Sequence, residues 1–264
     1  MHAHAFDQYH YQESFIHRLD PRIKVLVTVG FIFSNALLPD GRWLAFTASW
    51  IFLLLANDLS HLGLGFTLKR SFVALPFAVV AISAIFSPQG EPLTEWDLGF
   101  IILIPTDIGV IRFFSILARS WLSVQMAILL VATTEFPDLI HAFEHLRVPR
   151  VLTTIVAFLY RYLFVLTDEV YRLLRARESR SASLPGLKHG GKLAWRAKVA
   201  GSMAGQLFLR SYERSDRIYN AMLSRGYAGH IRTLNPHVMT KMDWLTLLFA
   251  VTLIILIQLI GWVR

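Results

Sequence analysis

The chain has 264 residues, of which 55% are apolar and only 17% are charged, and its mean hydropathy is +0.49. Soluble domains average about 25% charged residues, so this composition indicates an integral membrane protein. The formal net charge of +8 requires a partner or a membrane surface to explain it, and nucleic acid is a poor candidate because the basic residues lie beside membrane-length apolar runs. The absence of cysteine excludes disulfides, thiolate metal sites and cysteine nucleophiles.

The first 19 residues are polar and rich in histidine, without the apolar core of a cleavable signal peptide. A metal-binding tail is one interpretation, but no ligand spacing is fixed, and a solvated terminus is the preferred one. A helix is expected to begin directly afterwards, because Asp20 suits the N-cap and Pro21 suits the first helical position. The histidines of this tail are His2, His4, His10 and His17.

Five segments are apolar enough to cross a bilayer, which requires ~20 mostly apolar residues each. The loop over residues 87–110 contains acidic residues but no lysine or arginine, whereas Arg172 to Lys241 contains 14 of the 26 basic residues. By the positive-inside rule the N-terminus and this basic region are cytoplasmic and the C-terminus is outside, which agrees with five crossings. The predicted spans cover residues 23–39, 43–57, 71–87, 111–133 and 244–263.

Two long helices are predicted in tandem, after a short amphipathic helix that opens at Phe136. The first is apolar from Val151 to Leu166, becomes highly charged, and ends near Ser179-Arg180-Ser181. Such a helix is expected to leave the membrane interior and lie at the cytoplasmic surface. The second begins at Lys192 and ends at Ser224-Arg225-Gly226, with Gly226 as the glycine that follows the helix and Arg225 at the negative end of the helix dipole.

Small residues line one ridge of the second helix at Ala197, Gly201 and Gly205. Because they are four apart, another helix can approach closely there, and we predict a helix crossing at this ridge. In the first helix, Arg161 and Glu169 lie roughly on one face. They either form a buried polar link or extend separately to the membrane interface.

In these features the chain resembles the transmembrane (T) component of energy-coupling factor transporters, in particular the cobalt-type CbiQ family. The resemblance covers nearly the whole chain, and it implies an all-α integral membrane protein of about five transmembrane helices plus a cytoplasmic coupling region of long amphipathic helices. The corresponding divisions are residues 1–133 for the N-terminal tail and first four spans, 134–243 for the coupling region and 244–264 for the last span. The resemblance rests on four segments in this order: His17-Arg18-Leu19-Asp20-Pro21-Arg22-Ile23-Lys24, Thr133-Thr134-Glu135-Phe136-Pro137-Asp138-Leu139, Leu146-Arg147-Val148-Pro149, and Arg214 through Gly229.

The resemblance also implies a function and a set of partners. The chain would be a non-catalytic subunit in the cell (inner) membrane that couples two cytoplasmic ATPase subunits, which bind the ATP, to a separate substrate-binding membrane subunit. A small accessory membrane subunit is also allowed. Cobalt as the transported ion rests on the resemblance alone, and no residue excludes nickel or a vitamin.

In that family, the two triplets of small residue, arginine and small residue end coupling helices that dock into grooves of the ATPase subunits. By resemblance, Arg180 and Arg225 are the docking arginines, although serine on both sides of Arg180 departs from the commoner Ala-Arg-Gly form. An arginine at a helix tip can bind a carboxylate through two hydrogen bonds, and small neighbours let a partner's backbone approach. The alternative is that both arginines only complement helix dipoles. The predicted docking residues are Ser179, Arg180, Ser181, Ser224, Arg225 and Gly226.

The runner-up function is an integral membrane enzyme that acts on a lipid or isoprenoid substrate at the cytoplasmic face. Such an enzyme needs convergent acidic or histidine residues, such as a DxxxD metal motif, and the sequence contains no such cluster. No Walker motif, glycine-rich phosphate loop or HExxH segment occurs either. We therefore predict no catalytic site, no metal site and no cofactor of the chain's own.

Overall fold

The structure is a computed structural model that describes residues 9–86, 96–97, 102–103, 106–180, 193–229 and 239–263. Nearly all of these residues are helical, which confirms the predicted all-α membrane protein. The exceptions include a two-residue antiparallel pairing of β1 (Trp96–Asp97) with β2 (Ile102–Leu103). The helices are α1 (Phe15–Arg18), α2 (Pro21–Leu37), α3 (Trp43–Ser60), α4 (Leu64–Arg70), α5 (Leu75–Ala81), α6 (Asp107–Thr133), α7 (Phe136–His145), α8 (Arg150–Arg180), α9 (Leu193–Ser224) and α10 (Lys241–Trp262), with 3₁₀ turns at Ser71–Ala74 and Ile82–Phe86.

Helix ends follow local capping rules that are visible in the sequence. Asp20 is the N-cap of α2, where its side chain accepts a hydrogen bond from the Arg22 N–H at 2.9 Å, and Pro21 occupies the first helical position, as predicted. At α10, Thr240 and Asp243 form a reciprocal capping box. These caps satisfy backbone N–H groups that would otherwise have no partner at the helix start.

Five helical stretches of the described chain are long and apolar enough to cross a membrane, judged by length and composition alone. Four of them correspond to predicted spans. The fifth is α8, which the sequence analysis placed at the membrane surface. The predicted first span corresponds to α2, whose 17 residues rise about 26 Å at 1.5 Å per residue. The five stretches are Trp43–Ser60, Leu64–Phe86, Asp107–Thr133, Arg150–Arg180 and Lys241–Trp262.

Contacts within the chain divide it into two units. We call residues 6–146 and 236–264 the bundle unit, and residues 147–235 the helix-pair unit. The short helix α7 packs against α2 and so belongs to the bundle unit, although the sequence analysis grouped it with the coupling region. The predicted boundaries at residues 134 and 243 stay a prediction.

The bundle unit has one apolar core, in which α2 and α3 each pack against α6 and α10. Phe31 and Phe52 stack in this core, with ring centroids 5.3 Å apart and planes inclined by 18°. Apolar side chains at such helix–helix contacts gain van der Waals packing, which is the main attraction between helices in lipid. The buried core residues are Ile23, Val27, Phe31, Leu38, Ala45, Phe46, Leu53, Leu122, Met126 and Ile257.

Candidate functional site: the paired basic helices

The helix-pair unit consists of α8 and α9, which lie side by side and run in opposite directions where they meet. Glu169 of α8 contacts Arg210 of α9, and residues 151–166 of α8 line the same cavity as residues 211–222 of α9. This apolar cavity has a volume of about 530 Å³ and is open at one side. The pair is therefore joined by a polar contact at one place and by incomplete apolar packing beside it.

Glu169 provides that polar contact. Its side chain is buried, and its Oε1 atom lies 2.5 Å from Nη1 of Arg210, while its Oε2 atom lies 3.5 Å from Nη1 of Arg172 on the same helix. Of the two alternatives for Arg161 and Glu169, the buried link is wrong, because Arg161 is exposed and Glu169 contacts α9 instead. Arg210 was missed because it lies 41 positions away on another helix, and no local spacing marks it.

The end of α9 has the geometry that the sequence predicts. Gly226 has a φ of +79°, a left-handed conformation that favours glycine because other residues would clash there. The Gly226 N–H donates to the carbonyl of Leu223 at 2.9 Å and the Tyr227 N–H donates to that of Met222 at 3.0 Å, which is a Schellman motif. Met222 and Tyr227, the two positions between which such a motif often forms an apolar contact, both line the cavity.

Both helix tips present an exposed arginine. Arg180 and Arg225 are exposed, and neither guanidinium forms an ion pair or a hydrogen bond with the residues that the structure describes. The flanking serines donate their hydroxyls to carbonyls of their own helices, Ser179 to Ala176 at 3.0 Å and Ser224 to Asn220 at 2.9 Å. The guanidinium groups are therefore the donors at these tips that remain open to a partner. Ser181, which completes the first predicted triplet, lies outside the described residues.

The ridge of small residues does not contact α8. Ala197, Gly201 and Gly205 are exposed, and a Cβ atom built on either glycine meets no heavy atom of the described residues within 4 Å. The contact between α8 and α9 involves the other half of α9, around Arg210 and beyond. A crossing at this ridge therefore stays a prediction about a helix other than α8.

Positive charge is concentrated on the helix pair. Among described residues, α8 carries six arginines and three acidic side chains, and residues 193–229 carry six basic and two acidic ones, an excess of seven positive charges. This excess favours acidic partner surfaces or anionic lipid headgroups.

A second polar cluster lies in the bundle unit, where two of the segments that carry the family resemblance meet. Lys24 is buried, and its Nζ donates to the carbonyls of Thr133 at 3.0 Å and His17 at 3.2 Å. The Asp20 N–H donates to Oδ1 of Asp243 at 3.2 Å, which ties the start of α2 to the start of α10. The sequence analysis missed this network, because its members are far apart in the chain.

The N-terminal tail takes part in this cluster, which does not fit a wholly solvated terminus. The His10 N–H donates to the carbonyl of Ala132 at 3.1 Å, and Nε2 of His17 lies 3.0 Å from the His10 carbonyl. Burial lowers the pKa of His17 and the nearby Lys24 charge lowers it further, although the hydrogen bond to His10 opposes both. His2 and His4 lie outside the described residues.

Arg119 in α6 is paired. Its Nη2 atom lies 2.7 Å from Oδ1 of Asp40 and 2.6 Å from the carbonyl oxygen of Leu38, and Arg112 lies 3.4 Å from the other Asp40 oxygen. Asp40 follows α2, so the pair lies level with the turn between α2 and α3. A guanidinium held at the end of a span by a carboxylate avoids most of the cost of a charge at mid-bilayer.

Comparison with known proteins identifies the family. Residues 12–238 match the CbiQ family, described as cobalt transport protein. The chain is 27% identical over 271 residues to the energy-coupling factor transporter transmembrane protein EcfT of Brevibacillus brevis, which covers 98% of both chains. It is 27% identical over 248 residues to a protein of the same name from Lacticaseibacillus paracasei, covering 88% of this chain and 89% of the relative.

An uncharacterized protein of Methanocaldococcus jannaschii is 30% identical over 261 residues, covering 96% of this chain and 85% of the relative. The family match includes the bundle unit up to α7, both helices of the pair and the tip at Arg225. These matches confirm the resemblance that the sequence motifs indicated. The chain belongs to the CbiQ family.

Proposed function

We propose that this chain is the transmembrane coupling subunit of an ATP-driven uptake transporter of the energy-coupling factor type. It is not itself an enzyme, and ATP is bound and hydrolysed by two partner ATPase subunits. The names of its EcfT relatives support this assignment. The structural observation that carries the proposal is a pair of long basic helices, α8 and α9, whose tips expose Arg180 and Arg225.

Each tip is suited to bind a carboxylate in a groove of one ATPase subunit. A guanidinium forms two parallel hydrogen bonds with a carboxylate, and a lysine ammonium lacks this planar fork. The serines at 179 and 224 are small and Gly226 has no side chain, which leaves room for a partner's backbone beside the arginines. Because α8 and α9 run in opposite directions where they meet, their tips face opposite ways, and each can reach a different ATPase subunit.

Movement of the two ATPases then displaces the helix pair, which passes the motion to a substrate-binding membrane subunit. Coupling of this kind needs an element with two arrangements that both sites can bias. The helix pair suits this role, because a contact between Glu169 and Arg210 joins its two members and both of its tips are exposed.

The same proposal sets the orientation. The basic helix pair and the N-terminus lie on the cytoplasmic side of the cell (inner) membrane, and the C-terminus lies outside. The positive charge of the pair supports this, because cytoplasmic segments carry an excess of lysine and arginine. Cobalt is the proposed transported ion, on the description of the family.

The proposal is tested by copurification and uptake in the same cells. Arg180→Ala combined with Arg225→Ala should remove both ATPase subunits from the tagged chain and abolish uptake, while the chain still inserts. Each single variant should lose only part of the copurified ATPase and of the uptake. The remaining tip holds its ATPase and keeps the second one nearby at high effective concentration. Truncating one partner of a buried charge pair costs about 2–5 kcal/mol of binding.

The matched control is Arg175→Ala combined with Arg217→Ala, which removes the same charge from exposed positions of the same two helices. This control should retain both ATPases and uptake. If the double tip variant retains them as well, the arginines only complement helix dipoles, and docking occurs elsewhere.

The transported ion is tested separately with labelled cobalt. Uptake should be competed by unlabelled cobalt more strongly than by nickel or a vitamin. Equal competition by nickel, or no cobalt uptake in cells where the ATPases copurify, would overturn the assignment of cobalt but not that of the coupling subunit.

A further inference from the structure

Glu169 is the only charged side chain that is buried in the described residues of α8 and α9. One carboxylate oxygen contacts Arg210 on the opposite helix, and the other contacts Arg172 one turn away on its own helix. A buried carboxylate is costly unless it is paired and hydrogen-bonded, so this side chain holds its two partners in a defined geometry.

Apolar packing between α8 and α9 does not fix this geometry by itself. Beside Glu169, the apolar surfaces of α8 and α9 line an open cavity of about 530 Å³, so parts of these surfaces do not pack against the opposite helix. Apolar attraction is also non-directional, and it resists sliding or tilting of the helices less than a charged contact does. The contact with Arg210 has direction and a fixed length, and it therefore specifies the register where the apolar surfaces do not.

We propose that Glu169 is a positioning residue that fixes the register and the angle between α8 and α9, so that the tips at Arg180 and Arg225 move as one body. The part played by the ATPases rests on the proposed function. The positioning itself does not, because it concerns two helices of this chain alone.

Because Glu169 lies far from both helix tips, a small change in the angle between α8 and α9 displaces the tips by several ångströms. Arg180 lies eleven residues beyond Glu169 and Arg225 lies fifteen beyond Arg210, or about 16 Å and about 22 Å along the helix axes. A tilt of about 10° at the contact displaces the tips by about 3–4 Å, which equals or exceeds the length of a hydrogen bond. Without Glu169, motion of one tip would be absorbed at the contact instead of reaching the other.

The test uses the absence of cysteine from the chain. Spin labels on Ala176→Cys and Ala221→Cys, both at exposed positions near the tips, report the distance between the two helices in the purified protein in lipid nanodiscs. Wild type should give one narrow distance distribution, and Glu169→Ala should broaden it at least twofold. The matched control is Glu213→Ala, an exposed glutamate of α9, which should leave the distribution narrow.

Charge exchange provides the second variant. Glu169→Arg combined with Arg210→Glu should restore the narrow distribution, because the exchange keeps opposite charges facing each other across the pair. The carboxylate introduced on α9 also lies one turn from Arg214, which can pair with it. A narrow distribution in Glu169→Ala, or an exchange variant as broad as Glu169→Ala, would overturn the proposal.

The functional readout separates positioning from simple loss of fold. Glu169→Ala should still copurify with both ATPases, but uptake per ATP hydrolysed should fall by about fivefold or more, within the usual range of coupling between sites. The exchange variant should recover most of the lost uptake per ATP hydrolysed. If wild type itself neither binds the ATPases nor supports uptake, the proposed function fails while the spin-label result still decides the role of Glu169.

Discussion

The Lys24 ammonium donates a hydrogen bond to the carbonyl oxygen of Thr133 at 3.0 Å, across 109 positions of the chain. It thereby joins the start of α2 to the last residue of α6, and its second acceptor, the His17 carbonyl, joins both to the N-terminal segment. The last carbonyls of a helix have no partner within the helix, and a cation there also complements the helix dipole. Lys24 thus fastens three segments of the bundle unit at one end.

Lys24→Met should therefore destabilise the bundle unit while keeping the length and apolar stem of the side chain. Two carbonyls lose a charged donor, and hydrogen bonds to charged groups contribute about 1.5–3 kcal/mol. The measurement is the thermal unfolding midpoint in detergent. Lys69→Met, at an exposed lysine of α4, is the control and should leave the midpoint unchanged. Equal midpoints for both variants would show that Lys24 has no role in stability.

The pairing of Arg119 with Asp40 yields a second prediction. Asp40→Asn keeps the shape of the side chain but removes the charge, and we expect it to lower the free energy of unfolding by about 1–2 kcal/mol, since the pair is partly exposed to solvent. Asp58→Asn, at an exposed position of α3, should have no effect. If Asp40→Asn lowers the free energy of unfolding as much in an Arg119→Met background as in wild type, the two residues do not act as a pair.

Two glycines should respond oppositely to alanine. A Cβ atom on Gly109 would collide with the backbone carbonyl of Ile85, so Gly109→Ala should destabilise the fold by about 1–3 kcal/mol. Gly201 has open space around it, and Gly201→Ala should raise helix stability by about 0.5–1 kcal/mol. Unfolding in mixed micelles measures both changes.

Larger substitutions at the ridge test the predicted crossing with another chain. Gly201→Leu and Gly205→Leu should leave the isolated protein folded, because no described residue contacts either position. If a partner helix crosses there, transport should fall while the ATPases still bind. Full transport by both variants would show that the ridge is not a packing surface.

Membrane orientation is predicted by loop charge and can be read with fusions. A reporter after Gly90 should be active outside the cytoplasm, and one after Gly190 should be active inside. We expect external activity after Gly90 because the loop between the third and fourth predicted spans is acidic. We expect cytoplasmic activity after Gly190 because the helix pair is basic. A reporter after Gly190 that reads as external would rule out contact between the helix tips and cytoplasmic ATPases.

Local signals in the sequence predicted several helix ends. Asp20 and Pro21 mark the start of α2, Gly226 marks the end of α9, and apolar run lengths indicate the spans, because each of these depends on neighbouring residues. The two tandem helices were also predicted, with ends at Arg180 and Ser224.

Tertiary pairings could not be predicted in the same way. Glu169 has a candidate partner eight residues away on its own helix, and only the folded pair shows that it contacts Arg210 instead. Likewise, nothing local indicates that Asp40 neutralises Arg119, 79 positions later. The chain contains many arginines, and its sequence alone does not show which of them pairs with a given carboxylate.

The excess positive charge of α8 and α9 implies two salt dependences of opposite sign. Like charges along the two helices repel each other at low ionic strength, and counterions relieve that repulsion within a Debye length of about 8 Å at physiological salt. Added salt should therefore hold the helices of the free protein closer together, as the distance between labels at Ala176 and Ala221 would report. The same salt should weaken the attachment of acidic partners to the tips. A titration with sodium chloride therefore distinguishes repulsion within the chain, read from the label distance, from attraction between chains, read from partner binding. It needs no substitution in the helix pair other than the two labelling sites.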